Sequence, residues 1–119
     1  MAMLLLAGAA LAGRRSTAAT PAVPAPPPTF AQDVAPILNR WCVSCHGERE
    51  AQSGLRLDSY DAALKGGDDG PVIVPGDPAA SQLLAQIERR TRPPMPPKKR
   101  LPHNPVAVIR AWITTGALP

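Results

Sequence analysis

Cys42-Val43-Ser44-Cys45-His46 constrains this 119-residue chain more than any other stretch. Two thiols three positions apart can add across the two vinyl groups of a haem, and the histidine that follows then serves as the proximal ligand of the iron. The chain has two cysteines in all, so the motif uses every thiol. A fold built on it must wrap a large, flat, apolar body. The composition agrees, because one Phe, one Tyr and two Trp are few for a domain near the size at which a protein core alone is marginal. The expectation is one covalent haem c, attached at Cys42 and Cys45, with His46 on its iron.

Three other readings of the motif compete. A structural zinc site needs four ligands, and Cys42, Cys45, His46 and the remote His103 lack the usual finger spacing. A thioredoxin-like redox pair belongs in a βαβ setting, whereas the residues around this motif have helical periodicity. A plain disulfide leaves His46 without a role.

Met1 to Ala12 is apolar and closes on Ala10-Leu11-Ala12, the small-x-small form of a signal-peptidase site. Residues 1–19 therefore read as a signal peptide or N-terminal anchor, although Arg14-Arg15 follow the apolar run instead of preceding it. About a dozen apolar residues are too few to span a bilayer. Thr20 to Thr29 holds five of the sixteen prolines and no charge, which makes residues 20–29 a semi-rigid tether. The domain proper is expected over residues 30–119, in the periplasm or otherwise exported, as a monomer, membrane-tethered if the leader is retained. The net charge is +4 overall, but from Phe30 onward 11 basic side chains face 9 acidic ones. That near balance, with so few aromatics, excludes a nucleic-acid partner.

Phe30, Val34, Leu38 and Trp41 recur at three- and four-residue steps and predict a helix over about 34–44, with Asp33 as N-cap and Pro36 in the first turn. Asp58 caps a predicted short helix over 59–65, stopped by Gly66-Gly67. Asp77-Pro78 opens a third through about Arg90. Asn104-Pro105 opens a fourth, which ends before Gly116 and turns Val106, Ile109, Trp112 and Ile113 inward. Residues 70–76 form the only β-like run, bracketed by prolines and with no second strand to pair with. Its apolar side chains are expected to line the haem, and one of its carbonyls to accept the Nδ1–H of His46. The fold class is all-α, about four short helices and long loops around a covalently bound haem.

Met95 is the one methionine beyond the leader, in Arg92-Pro93-Pro94-Met95-Pro96-Pro97. Methionine often fills gaps in a core, but a soft thioether on a proline-stiffened loop makes Met95 the preferred distal iron ligand. His103 is the weaker alternative, since a histidine at a helix entry suits a surface or capping role. Arg89, Arg90, Arg92, Lys98, Lys99 and Arg100 flank Met95. They form either a rim that steers an acidic redox partner or a solvated face that offsets the haem carboxylates.

Read in order, Asp33 to Leu38, Cys42 to Gly47, Gly54 to Asp58, Gly66-Gly67, Gly70 to Pro78, Ser81, Leu83, Met95-Pro96-Pro97 and Ile109 to Ala117 resemble the planctomycete-type cytochrome c domain, a branch of the class I cytochromes c. The resemblance implies haem c with His46 and Met95 as axial ligands, and first and last helices crossing at roughly right angles. Pro102-His103-Asn104-Pro105 departs from the family's acidic helix start and leaves His103 without a family role. The expected function is periplasmic electron transfer, without enzyme activity of its own. An exchangeable distal ligand would instead make a haem sensor or small peroxidase-like enzyme, and docking would make the domain the haem module of a larger oxidoreductase.

Overall fold

A computed structural model describes residues 26–119, together with positions 8, 10 and 13. The leader, residues 1–19, and the first part of the tether, residues 20–25, otherwise lie outside the described residues. Among the described residues there are four α-helices and no strand; His46 with Ala51 and Gly67 with Gly70 make isolated bridges only. None of these helices is long and apolar enough to cross a membrane.

The first helical stretch starts earlier than its apolar spacing predicts. A π-helical turn, Phe30–Val34, runs directly into α1, Ala35–Trp41. Thr29, not Asp33, is the N-cap. Its hydroxyl accepts from the Gln32 N–H at 3.2 Å, while the Asp33 carboxylate accepts from the Thr29 N–H at 2.9 Å. This is a reciprocal capping box whose return arm comes one residue late, as a wide turn demands. Pro36 accounts for the width. In a regular helix its ring would meet the carbonyl four residues back, and it has no N–H to donate; a π turn upstream relieves both problems. α1 then stops at Trp41, and turns replace the predicted last residues through Ser44.

α2, Tyr60–Lys65, is capped by Ser59, whose hydroxyl accepts from the Ala62 N–H at 3.2 Å, while Asp58 pairs with Arg56 instead. It stops at Gly66, where φ is +86° and an added Cβ would run into the Gly70 carbonyl. α3, Gln82–Ile87, is shorter than Asp77-Pro78 predicts. The Asp77 carboxylate accepts from the Ala80 N–H at 3.1 Å and makes a local turn rather than a helix start. Ser81, fully buried, follows as a hub: its hydroxyl accepts from the Val74 N–H and donates to the Asp77 carbonyl, both at 2.9 Å. α4, His103–Thr114, begins one residue before the predicted Asn104 cap and puts Pro105 in its first turn. It closes in a Schellman arrangement, with the Gly116 N–H on Ile113 O at 3.1 Å, the Ala117 N–H on Trp112 O at 2.8 Å, and Gly116 at φ +109°.

The π turn packs on α4, and α3 packs on α4 as well. Trp112 is fully buried, its ring 6.0 Å from that of Phe30, which in turn meets Tyr60 edge-on at 5.6 Å. The chain after α4 is fixed to this cluster. Leu118 O accepts from the Trp112 indole at 2.8 Å and from the Phe30 N–H at 2.9 Å, and Tyr60 OH donates to Ala117 O at 2.7 Å. At the end of α3, Glu88 accepts from Arg110 of α4 with both oxygens at 2.7 Å and from Arg90 at 2.9 Å.

Burial pushes the Glu88 carboxyl up, but the bonds from Arg110 and Arg90 outweigh it and hold the group below its ordinary value of 4.5. The pairing therefore stabilises the fold above that ordinary value and is lost as pH falls through the depressed one. Glu88→Gln is expected to cost about 1 kcal/mol at pH 7 after screening, with the gap from the wild type closing on acidification, as read by urea unfolding across pH. Trp112→Ala is expected to cost about 3–5 kcal/mol in the same assay.

Candidate functional site

The turns after α1 bring the side chains of the cysteine motif to one wall. The Cys42 carbonyl accepts from the His46 N–H at 2.9 Å and from the Cys45 N–H at 3.2 Å, so the chain doubles back within the motif. Gly47 completes the bend; it is buried, and a Cβ there would come within 2.5 Å of the Val43 carbonyl. From the other side the Leu57 N–H donates to His46 O at 2.7 Å.

His46 Nδ1 lies 3.2 Å from the Leu55 carbonyl. A carbonyl can only accept, so Nδ1 carries the hydrogen, and in the neutral ring the lone pair is then on Nε2. Metal-bound histidines are oriented by the same device, which also raises their basicity. The acceptor corrects the expectation that residues 70–76 supply this carbonyl. That extended segment is committed elsewhere: Val74 bonds to Ser81, and the Gly76 N–H donates to Ile113 O at 2.7 Å. The loop directly after the motif reaches the ring instead. Of the extended run, Val72 does line the cavity described below, Ile73 enters the core and Val74 is exposed.

One cavity of about 610 Å³ is lined by Cys42, Cys45, His46 and Met95 together. Leu55, Leu57, Val72, Leu83 and Ile87 give it apolar walls, while Asp68-Asp69 and Lys98-Lys99 supply its charged lining. The Trp41 indole, also in the wall, has the Arg40 guanidinium over its ring at 5.3 Å and the Lys99 ammonium at 5.5 Å. His103 is elsewhere. It is exposed at the start of α4 and borders a separate, smaller recess with Ile87, Glu88 and Leu101.

Prolines leave the Met95 loop short of backbone donors, and α3 makes good the deficit. The Met95 N–H donates to Gln86 O at 3.1 Å, Gln86 Nε2 to Pro93 O at 3.1 Å, and Arg89 Nη2 to Pro96 O at 2.8 Å. Gln86 and Leu55 escape sequence reasoning, and Arg89, expected only as part of a basic rim, gains a second role, because each acts through a hydrogen bond that only the fold aims.

The rival readings of the motif fare differently. Burial pushes the Cys42 thiol up to about 11, whereas redox-active Cys-x-x-Cys pairs depend on a lowered value. The two thiols are not joined to each other. Among the described residues no three His, Cys, Asp or Glu side chains converge so as to hold a metal ion by themselves. Haem fits the donor set better. The cavity falls within the roughly 300–1,000 Å³ of small-molecule and cofactor sites, and it presents two thiols, an imidazole with a free nitrogen, and a thioether.

Comparison with curated proteins and with solved structures gave no match. A family model described as Planctomycete cytochrome C matches residues 42–99, the stretch that contains both thiols, His46 and Met95 and ends at Lys99 on the cavity wall; over those residues the chain is similar to a planctomycete-type cytochrome c domain.

Proposed function

We propose that this domain is an electron carrier in which haem c is bound covalently by Cys42 and Cys45 and ligated axially by His46 and Met95. The observation that carries the reading is the single cavity these four side chains share, and the match of residues 42–99 to a cytochrome c family model supports it. Haem bound there supplies a one-electron couple between Fe(II) and Fe(III). The chain supplies the rest. Leu55 O orients the imidazole, the α3-anchored loop holds the thioether, and the apolar walls exclude water and keep the surrounding dielectric low. With His46 and Met95 both holding the iron, no position would be left for a substrate, and the domain would carry electrons without catalysing a reaction by itself.

The apolar leader and proline-rich tether favour export, with the domain working in the periplasm or held near a membrane. Arg92, Lys98 and Arg100 are exposed around the Met95 loop, which suits an acidic redox partner.

Replacing Cys42 and Cys45 together by serine is expected to abolish covalent haem, measured by pyridine haemochrome and by the mass of the purified chain. Met95→Ala is expected to lower the reduction potential by on the order of 0.1 V and to allow ready carbon monoxide binding to the reduced protein at neutral pH. His103→Ala should change neither. An unchanged potential in Met95→Ala would remove Met95 from the iron.

A further inference from the structure

We propose that Arg89 is a positioning residue for Met95: its guanidinium, carried by the left-handed turn that ends α3, holds the Met95 loop at the cavity through the Pro96 carbonyl. The proposal rests on Met95 being the distal ligand.

The turn itself is the first observation. α3 closes as a Schellman motif, with the Arg89 N–H on Gln86 O at 3.2 Å and the Arg90 N–H on Ala85 O at 2.8 Å. The residue in the left-handed position of such a turn is ordinarily glycine, because a Cβ is disfavoured there. Here it is Arg89, at φ +63°. Glycine would build the same turn with less strain, so the side chain needs another reason to be present.

Its contact supplies one. Arg89 is partly buried and its Nη2 donates to Pro96 O at 2.8 Å. The adjacent Arg90, in the same turn, points its guanidinium at Glu88 instead. The two arginines divide the work: one joins the α3–α4 ion pairs, the other reaches across to the Met95 loop. Pro96 needs an outside donor, because Pro93, Pro94 and Pro97 offer no N–H nearby. Met95 thus lies between two clamps from one helix end, Gln86 on Pro93 and Arg89 on Pro96, and its own N–H is tied to Gln86 as well. A charged donor makes the Arg89 bond the stronger type.

A thioether bond to iron is weak enough for an added ligand to compete with it, so imidazole titration of the oxidised haem-loaded protein measures how firmly the loop is held. Arg89→Gly is expected to lower the apparent imidazole dissociation constant about tenfold, the equivalent of one charged hydrogen bond. The thermal midpoint should stay level or rise, since glycine suits φ +63°. Arg89→Asn, which tolerates the turn but is too short to reach Pro96, should match it. Met95→Ala should tighten imidazole binding further, and Arg89→Gly should add nothing in that background.

Wild-type affinity in Arg89→Gly and Arg89→Asn, with tighter binding in Met95→Ala, would overturn the role of Arg89 and leave the ligand assignment standing. An undiminished Arg89→Gly effect in the Met95→Ala background would overturn it too. Wild-type affinity and an unchanged sulfur-to-iron absorption band in Met95→Ala would overturn the ligand assignment, and the role of Arg89 with it.

Discussion

The Leu118 carbonyl accepts two hydrogen bonds, from the Trp112 indole and from the Phe30 backbone, and much of the domain's geometry can be traced from that point. Phe30 begins the π turn that leads through α1 to Cys42. Trp112 belongs to α4, which receives α3 through Arg110 and Glu88. α3 in turn holds the Met95 loop. The two walls of the cavity are thus referred to one corner where the ends of the domain meet. Tyr60 adds α2 to the same corner through Ala117 O. In a domain with one Phe and one Tyr, both lie here, Phe30 against Trp112 and Tyr60 against Phe30.

A chain with sixteen prolines is short of backbone donors, and the structure shows how it copes. Buried Ser81 satisfies the loop ahead of α3, Gln86 and Arg89 satisfy the loop behind it, and the Trp112 indole satisfies the C-terminal segment. Side chains replace the backbone where proline removes it. No buried side-chain polar atom among the described residues is left without a partner. Prolines at 93, 94, 96 and 97 stiffen the Met95 loop, yet stiffness alone would not place it. Placement comes from one helix end.

Much of this was legible beforehand because it depends on local pattern. The cysteine motif, the inward face of α4 at Ile109, Trp112 and Ile113, the short α2 stopped at Gly66, and an all-helical domain among the described residues all follow from spacing and from Gly and Pro chemistry. Boundaries went astray where a side chain found a better partner than the nearest helix: Asp77 turned to Ala80, Ser81 to Val74, and Thr29 took the cap from Asp33. The acceptor for His46 lies at Leu55 and not in residues 70–76 for a related reason. A carbonyl has no sequence identity, so which residue supplies it is settled only when the chain is folded.

The two sides of the cavity differ in how far along the chain their supports lie. His46 is held by Cys42 and by Leu55 and Leu57, all within eleven positions. Met95 is held by α3, whose own seat on α4 depends on Arg110 and on the corner at Leu118. Openings of a native domain follow its least supported units first. The supports of the histidine side are local, whereas those of the methionine side run through two further helices. On the proposed ligation, an intact bond at sulfur reports on the seat of α3 against α4 as well as on the loop that carries Met95.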